Sequence, residues 1–331
     1  MPEPMRALIV KLAAMGDTVM ASTMLGAIRA RHPEAHITWV TAHGLVPLVR
    51  RFRGVDEVLG IDADALLAGR GVRRWIAALR AVRAIGRGPW DLALVAHADP
   101  RYAALLRGAR IRDVRVVRDG APKGQWHGDA YARFVDEDAV AQFAPLFWPT
   151  GAPPARPRAR HVLLAPGGAR NVLRDNPLRR WPLAHWVALA TQLHAEGYRL
   201  SVIGAPSDAE DAAPVLNAVP SAENAIGQDS VEQLLHRIAA ADAIVTHDSG
   251  TLHLAQLTDT PAVALFGPTP PASFVAPQAR VTVVSAAAGL PCAPCYDGRD
   301  YAPCALNRCL VDVPPARVAA AVAALLAERA D

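Results

Sequence analysis

The chain of 331 residues contains few aromatic residues, 5% of the total, and no apolar run close to the roughly 20 residues that a membrane-spanning helix needs. The segment 1–6 also lacks the shape of a signal peptide, because its charge is followed at once by strand-like residues. Hydrophobic residues still make up 52% of the chain, which suffices for about two domain cores. We therefore expect a cytoplasmic protein.

Acidic residues are slightly outnumbered, and the formal net charge is +4. A basic balance suits an anionic partner such as phosphate, lipid head groups or nucleic acid. The sequence contains neither an RNA-binding aromatic signature nor a basic block of the length that nucleic-acid arms use. We therefore expect no nucleic-acid partner.

Short strand-like segments alternate with helical ones along the chain, for example at 6–12, 36–42 and 91–97. This alternation predicts an α/β fold with parallel sheets. One helix is expected from Thr18 to Pro33. A second, amphipathic helix over 73–87 would place Trp75, Leu79 and Val82 on one face.

A stretch with five prolines, 144–160, interrupts the alternation and reads as an interdomain linker. It divides the chain into domains 1–150 and 151–331, and the second ends in a strong helix that begins with proline. We expect two Rossmann-like domains with parallel sheets facing across a cleft. Ligands of such sheets bind beyond the carboxyl ends of the strands, so the loops after strands are the places to search for function.

The first such loop holds Gly16 and Asp17, at the start of the first helix. Asp17 is either a helix N-cap or a carboxylate that acts as a general base. The loop supplies one glycine where a dinucleotide fingerprint needs three, which argues against a nicotinamide enzyme.

The second loop follows the strand Ala-Ile-Val and contains His247, Asp248, Ser249 and Gly250, before a helix that starts at Thr251. The first amides of a helix carry the positive end of its dipole, and small residues let a phosphate approach them. His253, on the first turn, would donate a further hydrogen bond. The alternative is an ordinary cap with a core histidine.

The third loop, within 165–186, runs from Pro-Gly-Gly through a basic stretch to a helix that opens with Arg-Arg-Trp-Pro. Arg179 and Arg180 suit a diphosphate whose charge is offset without a metal ion. Alternatively, both arginines cap neighbouring carbonyl groups. Taken together, the three loops suit transfer of a group from a nucleoside diphosphate.

The motifs GDTVMAS, RRWPLAHWVALATQL and HDSGTLHLAQLTDTPAVALFGPTPP, in this order and spacing, resemble glycosyltransferase family 9, the bacterial ADP-heptose heptosyltransferases. The resemblance covers nearly the whole chain, although 60–140 matches only loosely. It implies a GT-B fold and an inverting, metal-independent transfer. The N-terminal domain would bind the acceptor, and the C-terminal domain would bind the nucleotide sugar.

The resemblance also implies roles for single residues. Asp17 matches the catalytic base that deprotonates the acceptor hydroxyl. Arg179, beside Arg180, falls where the family often has a lysine against the donor phosphates. Asp208 falls where a family acid meets the donor ribose.

At the second loop, the resemblance implies that Ser249 and Gly250, with Thr251 at the helix start, bind phosphate. Asp248 matches a carboxylate at the donor sugar, and His253 matches the histidine of the motif. No D-x-D metal-diphosphate motif is present, so we expect no catalytic metal.

All four cysteines lie between 292 and 309 with the spacing C-x2-C-x8-C-x4-C; they are Cys292, Cys295, Cys304 and Cys309. Disulfides are disfavoured in a reducing cytosol, so a structural four-thiolate site for zinc or iron is the preferred interpretation. Free or regulatory thiols and disulfides are the alternatives.

This cysteine set resembles the iron-holding cluster of the autotransporter heptosyltransferases, which leaves two acceptors open. One is the lipopolysaccharide inner core, reached by peripheral contact with the inner membrane. The other is a serine hydroxyl of a protein. Two further hypotheses are a UDP-sugar transferase or epimerase of the same fold and a sugar-nucleotide-binding protein without catalysis.

Overall fold

The computed structural model describes residues 3–117, 124–156, 160–170, 175–298 and 300–327. The chain divides into two compact units, Met1–Pro149 and Thr150–Asp331. The proline-rich stretch spans this boundary, and its residues 157–159 lie outside the described part. Its first residues belong to the first unit, where Leu146 forms an isolated antiparallel bridge with Phe52. The linker is therefore shorter than its composition suggests.

A parallel sheet forms the centre of the first unit. Its strands β1 to β5 are Arg6–Val10, His36–Ala42, Glu57–Ile61, Trp90–Val95 and Ile111–Val116. Their order in the sheet is β3-β2-β1-β4-β5. The central strand β1 is almost wholly buried, as its apolar residues predict for a parallel sheet covered on both faces.

The described helices of the first unit, α1 to α7, are Met15–Ala21, Thr23–Arg31, Val46–Val49, Ala63–Leu67, Gly71–Ile85, Pro100–Ala103 and His127–Val135. The expected helix from Thr18 to Pro33 is thus two helices, separated at Ser22. The Ser22 hydroxyl accepts a hydrogen bond from the N–H of Ala144 at 3.1 Å, which ties the break to the end of the unit.

Helix α5 forms where the sequence predicts it, but its apolar side chains are distributed differently. Small and medium residues, Ala77, Ala81 and Ile85, pack into the core of the unit. Trp75 and Leu79, which the sequence places on one face with Val82, are exposed. The helix carries two apolar stripes, and the stripe with the smaller side chains approaches the sheet.

The second unit contains a parallel sheet of six strands among its described residues. Strands β6 to β11 are His161–Ala165, Arg199–Gly204, Glu223–Ile226, Ala243–His247, Ala262–Leu265 and Val281–Val284. They lie in the order β11-β10-β9-β6-β7-β8. The edge strand β8 escapes sequence analysis because it is four residues long and begins with two exposed polar residues.

The described helices of the second unit, α8 to α14, are Leu183–Ala195, Ala209–Ala218, Val231–Ala240, Gly250–Leu257, Pro271–Phe274, Arg308–Val311 and Pro315–Ala327. The predicted terminal helix is α14, and its expected end at 328–329 lies outside the described residues. Trp181 and Trp186 are fully buried in the core that α8 and α14 share with the sheet. The structure confirms an α/β fold with two parallel sheets. No helix in the described part of the chain is long and apolar enough to cross a bilayer.

Candidate active site

The start of helix α11 forms a small polar corner after strand β9. Asp248 and Ser249 are buried, whereas Gly250 and Thr251 are half-buried. The Ser249 hydroxyl does not cap the helix; it lies 2.8 Å from the Thr251 hydroxyl and 3.1 Å from that of Thr246. The first amides of α11 therefore lack a side-chain cap and lie at a partly open surface, an arrangement that can hold an anion.

Arg179 contacts this corner from the loop before α8. Its Nη2 lies 3.0 Å from Asp248 Oδ2, and it also donates a hydrogen bond to the Asp248 carbonyl oxygen. Within the described part of the chain, neither oxygen of the buried Asp248 carboxylate has a partner in hydrogen-bond geometry. A buried carboxylate of this kind is costly unless donors reach it, so the corner is suited to a ligand that presents both anionic oxygens and hydroxyl groups.

Tyr301 is a further neighbour of Arg179 that sequence analysis missed. Burial alone would lower the pKa of Arg179, but the Asp248 carboxylate and a hydrogen bond with Tyr301 raise it above its ordinary value. Tyr301 forms an antiparallel bridge with Tyr296, and both lie between the cysteines. The segment that contains the cysteines therefore contributes the Tyr301 side chain to the surroundings of Arg179, and no sequence motif predicts this contact.

His247, the last residue of strand β9, links other segments of the second unit. It is fully buried; its Nδ1 lies 3.1 Å from the Gly167 carbonyl oxygen, and its Nε2 accepts the Trp181 N–H at 2.8 Å. Burial lowers the pKa of His247 to about 4. The neutral imidazole thus links the loop after β6 to the segment that carries Arg179, which is a positioning role.

This link predicts a pH dependence of stability. The His247 pKa of about 4 lies below its ordinary 6.5, so the unfolded chain binds more protons as the pH falls through this interval. Stability should therefore be lost between pH 6.5 and 4, by up to about 3 kcal/mol. Urea unfolding across this range should show a shallower loss in His247→Gln. The exposed His194→Gln is the matched control, and equal slopes in all three proteins would contradict the assignment.

The loop after β6 approaches two of the predicted site residues closely. A Cβ on Gly168 would lie 3.2 Å from the Cβ of Ser249, and a Cβ on Gly167 would lie 2.4 Å from that of Asp208. Gly168 also has a φ of +92°, which glycine tolerates readily. The Pro-Gly-Gly sequence therefore lets this loop pass between Asp208 and Ser249.

Gly167→Ala should destabilise the chain by about 1–3 kcal/mol, because the added methyl group overlaps the Asp208 side chain. The matched control is Gly44→Ala, where a Cβ would meet nothing within 4 Å. The free energy of unfolding in urea compares the two variants. If Gly167→Ala were as stable as the wild-type chain, the close approach of the loop to Asp208 would be wrong.

Asp208 is buried and already engaged by the protein. Its carboxylate accepts hydrogen bonds from the N–H groups of Gly168 at 3.1 Å and Ala205 at 2.9 Å, and from Arg170 at 3.1 Å. These bonds hold the loop after β6 in place. The implied contact of Asp208 with a ribose stays a prediction. It would require a remaining lone pair of the Asp208 carboxylate to accept a hydrogen bond from a ribose hydroxyl group.

Arg180 lies beside this loop rather than at the α11 corner. Its Nε donates to the Gly168 carbonyl oxygen at 3.1 Å, and its guanidinium forms a salt bridge with Asp175. The carbonyl-capping alternative thus describes part of its role. Residues 171–174 of the basic loop lie outside the described part of the chain.

His253 is the fourth residue of α11 and is buried, with its ring centroid 6.4 Å from that of Phe274. This position resembles that of a core histidine. Its implied role toward the donor stays a prediction.

In the first unit, Asp17 lies in the first turn of α1, and its side chain is 41% exposed. The buried Lys11 Nζ is 3.4 Å from Asp17 Oδ2 and 3.3 Å from the Ala96 carbonyl oxygen. The N-cap position belongs to Ala14, which makes no side-chain cap, so Asp17 is not the N-cap that the alternative reading requires. Its carboxylate is partly open to solvent and is fixed by a buried cation.

The surroundings of Lys11 were not foreseen from the sequence. Burial lowers its pKa, but Asp17 and Tyr131 outweigh that effect and raise it above the ordinary value. Lys11 Nζ lies 5.4 Å from the centroid of the Tyr131 ring. His97, which accepts the Leu12 N–H, has a pKa lowered by burial and by Lys11. Lys11 therefore stays positively charged beside Asp17.

The cysteine segment does not form the predicted metal site among the described residues. No group of three or more His, Cys, Asp or Glu side chains in that part of the chain is arranged to hold a metal ion. Cys309 is buried, Cys292 and Cys304 are exposed, and burial together with the neighbouring thiols raises the pKa of Cys309 to about 11. The residue types suit zinc or iron, and the four-thiolate site stays a prediction of the sequence.

Comparison with known proteins gives one family match. The model of glycosyltransferase family 9 (heptosyltransferase) matches residues 141–305. The matched range includes the α11 corner and Arg179 and ends before Cys309. The resemblance of the cysteine cluster to that of the autotransporter heptosyltransferases is not confirmed.

Among curated proteins, the chain is similar to lipopolysaccharide heptosyltransferase 2 of Salmonella typhimurium, with 28% identity over 306 residues, 81% of this chain and 84% of that protein. Among solved structures, it is similar to an ADP-heptose lipopolysaccharide heptosyltransferase II of E. coli, with 24% identity, a TM-score of 0.73, and 99% and 100% of the two chains covered. A family 9 glycosyltransferase of Veillonella parvula gives 19% identity and a TM-score of 0.77 over 98% and 97%. These structures confirm the GT-B class of the fold.

Proposed function

We propose that this chain, which belongs to glycosyltransferase family 9, transfers a heptose from ADP-heptose to a hydroxyl group of the lipopolysaccharide core. Its membership of the family establishes a sugar-transferring enzyme. The names of its curated relatives, lipopolysaccharide heptosyltransferases, support heptose as the sugar and a core glycolipid as the acceptor.

The observation that carries the proposal is the corner at the start of α11. Arg179 and the uncapped amides of α11 supply positive charge for a diphosphate. The buried Asp248 carboxylate, without hydrogen-bond partners among the described residues, is suited to accept hydrogen bonds from sugar hydroxyl groups. A nucleotide sugar presents both kinds of group side by side.

In the proposed reaction, the Asp17 carboxylate takes the proton of the acceptor hydroxyl as its oxygen bonds to the anomeric carbon. The bond from that carbon to the donor phosphate breaks, and ADP leaves with the electron pair. Attack opposite the leaving group inverts the anomeric configuration. Lys11, 3.4 Å from Asp17, orients the base, and Arg179 with the α11 amides offsets the charge on the diphosphate.

Transfer to a protein serine is the alternative that the cysteine cluster suggested. The glycolipid acceptor is preferred because the curated relatives are lipopolysaccharide heptosyltransferases. A UDP-sugar-dependent transferase or epimerase of the same fold is the other alternative.

Calorimetric titration with ADP and, separately, UDP tests the donor. We expect ADP to bind and UDP to bind at least about tenfold more weakly. Tighter binding of UDP would keep the fold and the phosphate corner but overturn ADP-heptose as the donor.

A further inference from the structure

Helix α5 exposes an unusual set of apolar side chains. Val72, Trp75, Ile76 and Leu79 are 73%, 77%, 45% and 54% exposed. They follow the spacing i, i+3, i+4, i+7, so they form one stripe along the helix. The other large apolar side chains that are exposed in the described part of the chain do not share a helix face with this spacing; they are Val114, Val140, Phe147, Leu306 and Val311.

This stripe does not face the core. At 3.6 residues per turn, it lies about opposite the stripe of Ala77, Ala81 and Ile85, which packs into the first unit. The helix is thus anchored through its small side chains and presents its large ones to the outside. A contiguous apolar patch on a folded surface marks an interaction site.

Within the segment from 65 to 90, the charges are of one sign. The segment from 65 to 90 contains no acidic residue and six exposed arginines, which are Arg70, Arg73, Arg74, Arg80, Arg83 and Arg87. None of the six forms a salt bridge with a described residue. Without them the chain would hold 29 basic against 31 acidic residues, a formal charge of −2 instead of +4. The segment 65–90 therefore carries a formal charge of +6 without an acidic residue.

We propose that α5 docks the protein on the surface of an anionic lipid bilayer. The apolar stripe would enter the boundary between head groups and acyl chains, and the arginines would contact lipid phosphates while their stems lie along the apolar surface. A second copy of this chain is a poorer partner, because a two-fold contact would place six arginines against six. Nucleic acid would satisfy the arginines but leave the Trp75 stripe in water.

Helix α5 begins near the edge of the sheet that carries Asp17, so docking on a bilayer would serve the proposed reaction. Arg74 interacts electrostatically with Asp99, which follows β4. The start of α5 therefore lies at the edge of the sheet where the strands end, the edge that also carries Asp17. A bilayer bound there would present a membrane-embedded acceptor to the base; this use rests on the proposed function, whereas docking itself does not.

Vesicle binding of the full chain tests the proposal without donor or acceptor. We expect it to co-sediment with vesicles of phosphatidylcholine containing phosphatidylglycerol, and at least about tenfold less with phosphatidylcholine alone or at high salt. Trp75 is the one exposed tryptophan of the seven, so lipids with brominated acyl chains should quench its fluorescence selectively.

The double variant Trp75→Ala/Leu79→Gln should lose at least about tenfold in vesicle partitioning with an unchanged melting temperature, because both side chains are exposed. Phe147→Ala, which removes another exposed aromatic side chain of the same unit, is the matched control and should bind as the wild-type chain does. Binding by the double variant equal to wild type, or no binding of the wild-type chain to anionic vesicles, would overturn the proposal. Self-association in ultracentrifugation that the double variant abolishes would overturn it in favour of a second copy.

Discussion

Asp17→Asn is expected to lower kcat for sugar transfer by several hundredfold or more, within the range of about 10²–10⁴ that removal of a general base produces. The amide keeps the size of the side chain but cannot take the proton of the acceptor hydroxyl. Because ADP is proposed to bind at the α11 corner, the affinity for ADP should stay unchanged. Steady-state kinetics and calorimetry on the same preparation separate the two effects.

The matched control for this variant is Asp64→Asn. Asp64 is also an exposed carboxylate in the first turn of a helix of the same unit, α4, and the change removes the same charge. It should leave kcat within about twofold of wild type, as expected for surface substitutions. If Asp17→Asn behaved like this control, Asp17 would not be the base. That result would favour the hypothesis of a sugar-nucleotide-binding protein without catalysis.

Arg179→Met is expected to have the second large effect, on both stability and donor binding. It leaves the Asp248 carboxylate, which is 2% exposed, without its cation. Removing one partner of a buried ion pair costs about 3–5 kcal/mol, and the lower end applies because the Arg179 side chain is 19% exposed. ADP should bind at least about tenfold more weakly, since a charged hydrogen bond to phosphate is lost.

A second substitution separates these two consequences. In Arg179→Met/Asp248→Asn the buried charge is gone, so most of the lost stability should return in urea unfolding, while the affinity for ADP should stay low. Recovery of both properties would mean that Arg179 serves only to neutralise Asp248. Arg317→Met, at an exposed position in α14, is the control for loss of a positive charge. It also removes one exposed hydrogen bond to the Ser285 carbonyl oxygen, so it should change stability by less than about 0.5 kcal/mol and leave the affinity for ADP unchanged.

The alternation of strands and helices was readable in the sequence because parallel strands buried on both faces are continuous apolar runs. The failures have local causes. Strand β8 is short and polar at its start, and α5 carries two apolar stripes whose ranking depends on how closely each can approach the sheet. Periodicity reports that a helix is amphipathic, but only packing decides which stripe is buried.

The candidate site shows the same limit. The α11 corner and Arg179 were identifiable because each lies in a sequence motif, and the motifs follow one another with the order and spacing of the family. Lys11 and Tyr301 were not, since their relation to Asp17 and Arg179 exists only after folding. His247 stood in the motif, yet its two hydrogen bonds to distant segments, which decide its role, carry no sequence signal.

Mass spectrometry of the acceptor shows directly whether the chain transfers heptose from ADP-heptose to the lipopolysaccharide core. The purified chain would be incubated with ADP-heptose and a core glycolipid that lacks its terminal heptose, and separately with an autotransporter protein. We expect the glycolipid to gain one heptosyl group, ADP to be released in equal amount, and the autotransporter protein to stay unmodified. An unmodified glycolipid alongside a heptosylated protein, or transfer from a UDP-sugar only, would contradict it.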